Sequence, residues 1–323
     1  MSQKLKLRLL GILLIIFMMN LLTGCVTKED RQKEAEYRES GIAAMETGNY
    51  SEAISDFNLA LDQVRGMIGA DELDICYYKA AAQFASGDIY GAIDTYDILV
   101  EYDEKNAQNY FLRGGAYLAV GEMQKATDDY DQAVALTDDL AMYLAIADNL
   151  SDYSYSAQAD TYLTMGLEES PRDKASNYRL QGEMYTLLGD TDSALTSYMT
   201  ALEKGDVDVN LNLAQYYVDQ GDPDQAKTYI DTYVAAYPES SVALNAQGME
   251  KMNAADYQGA ITDFNQALAL DMVTNEQELR RNLIAAYEKA GDFVTAKAMM
   301  ETYINDYPDD ADAQREWMFL QSR

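Results

Sequence analysis

One seven-residue phrase returns along the chain at intervals near 34 residues. It reads GNYSEAI at 48–54, GDIYGAI at 87–93, GEMQKAT at 121–127, GDTDSAL at 189–195, GDPDQAK at 221–227 and GDFVTAK at 291–297, and a variant, ADYQGAI, stands at 255–261 with Ala255 in the glycine place. A period in this range means stacked units, each too small to bury its apolar face alone. Each phrase reads as a joint between two helices. Glycine ends one helix in the left-handed conformation that it adopts cheaply, Asp or Asn often follows, and the next helix starts two or three residues later.

The alanine of each phrase sets a register: Ala53, Ala92, Ala126, Ala194, Ala226, Ala260 and Ala296. The gap from Ala126 to Ala194 is two periods long, so one copy lacks the joint, and Ala159 fits its place. The units then start near 34, 73, 107, 140, 175, 207, 241 and 277. In each unit the eighth place holds Gly41, Ala80, Gly114, Ala147, Gly182, Ala214, Gly248 or Ile284, seven of them small enough for close helix approach. The twenty-eighth place is aliphatic throughout (Leu61, Val100, Val134, Leu167, Leu202, Val234, Leu268, Ile304), although it played no part in setting the register. Pro171, Pro238 and Pro308 all fall at the thirty-second place, where the second helix must stop, and Pro223 opens a second helix, where a missing N–H costs little.

This unit resembles the tetratricopeptide repeat, whose signature runs W-x2-L-G-x2-Y, then G, A-x3-F, A and P. The third copy supplies Tyr110, Gly114, Tyr117, Gly121, Ala126, Tyr130 and Ala133; the fifth supplies Tyr178, Gly182, Tyr185, Gly189, Ala194, Tyr198 and Ala201. Tyr often replaces the family's Trp and Phe, which accounts for much of the content of 26 tyrosines. The resemblance covers residues 34–310 and implies an all-α, right-handed solenoid of about eight helix–turn–helix units, over about 34–67, 73–106, 107–140, 140–173, 175–208, 207–240, 241–274 and 277–310. An extra stretch around Arg65–Glu72 separates the first two. The fourth copy is the most degenerate, with Ser154 where glycine belongs. Residues 311–323, with Trp317 among polar residues, read as a capping helix over the last apolar face.

The first 24 residues read as a secretory signal peptide: Lys4, Lys6 and Arg8, then the apolar run 9–22, too short for a bilayer span of roughly 20 residues. Its end, Leu22-Thr23-Gly24-Cys25, resembles the bacterial lipobox. That resemblance implies that Cys25 carries the lipid, with acyl chains such as palmitate, and becomes the first residue after cleavage. Two or more chains anchor stably, since each buried methylene contributes about 0.8 kcal/mol. Residues 25–33 then read as the lipidated cysteine and a short polar tether. The expected location is the extracytoplasmic face of a bacterial cell membrane, periplasmic in a Gram-negative cell.

Composition narrows the chemistry. Lys and Arg total 24 against 55 Asp and Glu, a formal charge of −31, so phosphate backbones are repelled and nucleic acid is not an expected partner. There is no histidine, which excludes Ser-His-Asp, Cys-His and His-zinc chemistry within this chain. With Cys25 assigned to lipid, Cys76 remains, at a packing place held by Tyr in other copies. Acidic runs such as Asp128-Asp129-Asp131 and Asp309-Asp310-Asp312 lack the spacing of a calcium loop and read as a solvated face. No catalytic residue, metal ligand or cofactor is expected, and the chain does not read as an enzyme.

What remains is surface. In the family, the first helix of each unit lines a groove for a peptide or a partner helix. The inner places here begin Arg38 and Ile42, then Tyr77 and Ala81, then Phe111 and Gly115, which is not the Lys/Arg/Asn pattern of the carboxylate clamp. Copies two and three instead set Tyr77, Phe84, Phe111 and Leu118 on one wall over Ala81 and Gly115. These six are the candidate partner-binding residues, with packing inside the repeat as the alternative. Later copies are more polar: Arg179, Glu183, Asn245, Met249, Arg281 and Lys289. The expected function is a membrane-anchored scaffold that binds protein or peptide partners, neutral or basic rather than acidic. A ligand- or peptide-capturing lipoprotein serving a transporter is the alternative.

Overall fold

The computed structural model describes residues 26–64, 69–168, 173–308 and 310–321. The expected signal segment, Cys25 and Pro171 lie outside them. The described residues form seventeen α-helices and no strand, in two compact units divided after residue 170. No helix among them is long and apolar enough to cross a membrane.

In the first unit α1 (Lys28–Glu46) pairs with α2 (Tyr50–Gln63), α3 (Ala70–Ser86) with α4 (Ile89–Tyr102), α5 (Ala107–Ala119) with α6 (Met123–Ala135), and α7 (Leu140–Asp152) with α8 (Ser156–Glu168). The second unit pairs α9 (Ala175–Leu187) with α10 (Thr191–Glu203), α11 (Val209–Asp219) with α12 (Pro223–Ala236), α13 (Ser241–Asn253) with α14 (Tyr257–Leu268), and α15 (Glu276–Ala290) with α16 (Phe293–Asp306). Helix α17 (Ala311–Leu320) closes it, and Trp317 packs half-buried against the Ile284, Met300 and Tyr303 cluster.

The joints work as their chemistry requires. Gly87, Gly121, Gly189, Gly221 and Gly291 have positive φ, and Asp88, Asp190, Asp222 and Asp292 accept from the backbone N–H three residues on, capping the helix that follows. Part of the acidic excess therefore serves helix starts. Each cap satisfies an orphan donor and places a carboxylate at the positive end of the helix dipole.

The alanine column is the centre of every pair: Ala53, Ala92, Ala126, Ala159, Ala194, Ala226, Ala260 and Ala296 are all at most 2% exposed. The eighth place is matched in size to the residue sixteen positions on. Where it is glycine, an added Cβ would fall within 3 Å of a ring: Gly41 on Phe57, Gly114 on Tyr130, Gly182 on Tyr198 and Gly248 on Phe264. Where the eighth place is Ala80, the later residue is Tyr96; where it is Ile284, the later residue is the unbranched Met300, in the same cluster.

The amino-terminal tether differs from expectation. Residues 28–33 are the opening turns of α1, not a linker. Thr27 and Asp30 form a reciprocal capping box at 3.1 and 2.9 Å, Lys33 pairs with Glu29 at 2.8 Å, and Arg31 reaches Glu34 at 2.8 Å and also Glu72. Glu72, 1% exposed, also accepts from the Gly69 N–H at 2.7 Å, so the end of the extra stretch is folded into the start of α3.

Candidate partner-binding site

Three of the six sequence-selected residues meet in one place. Phe84 near the end of α3 and Phe111 and Gly115 on α5 line a slot of about 320 Å³. Tyr96 of α4 and Leu112 of α5 complete its apolar wall, and Asn149, Asp152 and Tyr153 come from the end of α7. Phe84 is 36% exposed and Tyr153 42%. Burial pushes the Tyr96 phenol up to about 12, so it stays a neutral ring.

Beneath the floor lies Tyr130, fully buried. Its ring centroid is 6.1 Å from those of Phe111 and Tyr162, the latter edge-on. Its hydroxyl lies beside Asn149 without a hydrogen bond of good geometry. A Cβ on Gly115 would stand 3.4 Å from Asn149 Nδ2 and 3.9 Å from that hydroxyl. The glycine keeps the floor open and is not required by the packing.

The backbone that presents the α7 side chains is strained. Ser154 has φ 65°, in the region glycine would take, and closes the helix by donating to the Ser151 carbonyl at 2.8 Å, while the Tyr155 N–H donates to Leu150 at 2.8 Å. This is the turn that the sequence marks as degenerate, and Asp152 and Tyr153 of the slot stand directly before it.

The other three selected residues lie elsewhere. Leu118, at the register place of Phe84, is 2% exposed and belongs to the interior rather than to a wall. Helix α7 approaches α5 directly, whereas the approach of α5 to α3 is weaker, so the same place is covered in one copy and open in the other. Tyr77 is half-buried, and its hydroxyl bonds Asn109 Oδ1 and accepts from Asn106 Nδ2 at 3.4 Å, linking α3 to the start of α5. Ala81 is exposed but does not line the slot. Cys76 is 1% exposed, and burial pushes its thiol up, away from the reactive thiolate.

Polar side chains near the slot are mostly occupied in holding the repeats. Arg113 of α5 is bidentate to Asp129 at 2.8 and 2.7 Å and reaches Asp97 at 2.8 Å, and these carboxylates hold its pKa above the ordinary value. Asp131 accepts from the Tyr162 hydroxyl at 2.8 Å. In the second unit Arg179 pairs with Glu183 and Asp206, Asn245 bridges Glu278 and Asn282, and Arg281 pairs with Asp310. Four of the polar places selected in later copies are therefore tied up between helices.

The second unit also has a cavity of about 670 Å³ that the inner-wall reasoning does not find. It is built at the ends of helices, by Tyr233 and Tyr237 around Pro238 and by Leu270, Met272 and Thr274 after α14, with Asp208 at its edge. The Asp208 carboxylate raises the Tyr237 phenol. Pro238 marked this position in the sequence, but only as a helix stop.

Comparison with known proteins supports the repeat assignment directly in two places: tetratricopeptide-repeat family models match residues 185–249 and 282–310. No curated protein matches the sequence. Among solved structures, the chain is similar to one in the APC/C hetero-tetramer Cut9–Hcn1, at 20% identity and TM-score 0.48, over 82% of this chain and 52% of that one, so it spans about half of that chain's length. It is similar to a tetratricopeptide repeat protein from Parabacteroides merdae, at 15% identity and TM-score 0.46, over 79% of this chain and 99% of that one. A third likeness is to pilF of Pseudomonas aeruginosa, at 17% identity and TM-score 0.39, over 68% of this chain and 99% of that one. Residues 185–249 and 282–310 of the helical array thus match tetratricopeptide repeats.

Proposed function

We propose that the protein is a non-enzymatic interaction scaffold, lipid-anchored at the outer face of a bacterial membrane, that holds a partner protein through the slot between α3, α5 and α7. The observation that carries the reading is the set of accessible aromatics, Phe84 and Tyr153 with Phe111 behind them, gathered over an unfilled glycine floor. An aromatic-lined pocket of this kind suits a single anchoring side chain. The anchor rests on the lipobox-like Leu22–Cys25 sequence.

Crosslinking in intact cells, followed by purification, tests the scaffold. The wild-type chain should retain a defined protein, and Gly115→Leu, which fills the slot, should lose it while keeping its helical content. Retention by a folded Gly115→Leu chain would place the contact elsewhere. For the anchor, Cys25→Ala should leave the chain unacylated, and mass spectrometry showing an unmodified Cys25 in the mature wild-type protein would refute the lipid. The cavity near Tyr237 falls in the size range of small-molecule pockets and favours a second reading, a ligand-capturing lipoprotein. Native mass spectrometry showing a bound small molecule and no protein would support that one.

A further inference from the structure

Asp152 of the slot and Asp148, one turn before it, are placed where a helix least tolerates carboxylates. Asp148 and Asp152 are four residues apart on α7, so they share a face and repel. Both lie in the last turns, where the helix dipole is already negative, and α7 has no basic residue in its last turn. Neither forms an ion pair or hydrogen bond among the described residues, whereas Asp97, Asp129 and Asp206 all have arginine partners. Partial desolvation first, and the neighbouring Asp152 second, raise the Asp148 carboxyl above its ordinary value, although the residue as a whole is exposed.

Asp152 lines the slot, and so do four aromatic rings, from Phe84, Tyr96, Phe111 and Tyr153. The face of an aromatic ring attracts a cation, and the attraction grows as the cation loses water. A carboxylate and four aromatic rings thus share one small space, and a cation gains from the carboxylate and from any ring face it reaches. An acidic anchor is repelled there, and a purely apolar one gains nothing from Asp152. A cationic head on an aliphatic stem suits both parts, with the stem along Leu112 and Phe111 and the charge toward Asp152.

We propose that this slot takes a basic side chain, lysine or arginine, from a partner protein, with its charge against Asp152 and its stem among the aromatic rings. The inference rests on the scaffold reading above and names the chemistry of its anchor.

The test uses the full chain in detergent and short, otherwise neutral peptides that differ only in a central lysine, arginine or norleucine. Binding is followed by fluorescence anisotropy at about 150 mM salt, where the Debye length of about 8 Å screens diffuse attraction to the acidic surface. The lysine and arginine peptides should bind about tenfold more tightly than the norleucine peptide. Asp152→Asn should lower their affinity about fivefold or more, Gly115→Leu should abolish it, and Asp160→Asn, at an exposed carboxylate on α8 outside the slot, should leave it unchanged. Circular dichroism of each variant checks the fold. Equal binding of norleucine, still lost in Gly115→Leu, would overturn the cationic anchor and leave the slot as an apolar docking point. Equal losses in Asp152→Asn and Asp160→Asn would mean diffuse attraction and overturn the proposal. Failure of all three peptides to bind the folded chain would overturn the proposal and count against the slot as the docking point.

Discussion

Two adjacent glycines on α5 should respond to the same substitution with opposite signs. An alanine Cβ at Gly114 would stand 2.7 and 2.8 Å from the Tyr130 ring and 3.2 Å from the Ala126 carbonyl. Tyr130 is fully buried, with Phe111 and Tyr162 around it. Overpacking of this kind costs about 1–3 kcal/mol, against a helix-propensity gain of about 1 kcal/mol for Ala over Gly. Gly114→Ala should therefore destabilise by up to about 2 kcal/mol. At Gly115 the new Cβ meets Asn149 Nδ2 at 3.4 Å and the Tyr130 hydroxyl at 3.9 Å, both ordinary contact distances. The propensity gain survives there, and Gly115→Ala should stabilise by about 0.5–1 kcal/mol. Urea unfolding followed by circular dichroism measures both, compared at constant slope so that a midpoint shift reports stability. Repeat arrays can unfold in stages, so both variants must be read in the same transition. A neutral Gly114→Ala with a destabilising Gly115→Ala would mean that α5 presents the opposite face to α6, and both the core and the slot would be misassigned.

Ala255 and Ser154 hold left-handed backbone, φ 61° and 65°, so Ala255→Gly and Ser154→Gly should each stabilise by about 1 kcal/mol in thermal unfolding; a loss at either would mean the turn is not strained. Arg113→Ala leaves Asp129, 6% exposed, without its bidentate partner and should cost about 3–5 kcal/mol, while Arg113→Ala with Asp129→Ala should recover part of that in a double-mutant cycle. Burial and the Glu316 carboxyl raise Glu288 to about 7, so the folded state binds the extra proton and its stability falls as pH rises from about 4.5 through about 7. Glu288 is half-buried, so this contribution is discounted for solvent to about 1 kcal/mol, and Glu288→Gln should remove it when melting temperatures are compared at the two ends of that window.

The repeat was legible because its signals are local. A glycine that must turn left-handed, an aspartate that must cap and an alanine that must sit between two helices are each set within one unit. The fourth copy lacked its glycine, yet Ala159 is 2% exposed, because spacing survives the loss of a turn residue. The slot was legible only in part. Phe84, Phe111 and Gly115 follow from helix periodicity, but Leu118 has the same register place as Phe84 and is covered, since coverage depends on how closely the next unit approaches. Asn149, Asp152 and Tyr153 escaped notice because they belong to the next copy, and only the packing of α7 against α5 brings them to the slot. The opening turns of α1 were read as tether because VTKEDRQK is polar; the stabilising partners are a cap at Thr27 and a distant carboxylate, Glu72, neither of which leaves an apolar period.

The size match between the eighth place and the residue sixteen positions on has a consequence for how such a chain can change length. Both members of each match lie within one helix pair, as with Gly182 and Tyr198 or Gly248 and Phe264. Duplicating or deleting a whole unit thus carries the complementary shapes together, and no second substitution is needed to restore the fit inside the copied pair. A recombination joint between the two helices would instead bring a glycine opposite Met300, leaving a void, or Ile284 opposite a ring, with no room for it. Tolerated crossovers should therefore fall between units, and arrays of this kind can lengthen or shorten in whole steps while each unit inherits its own packing.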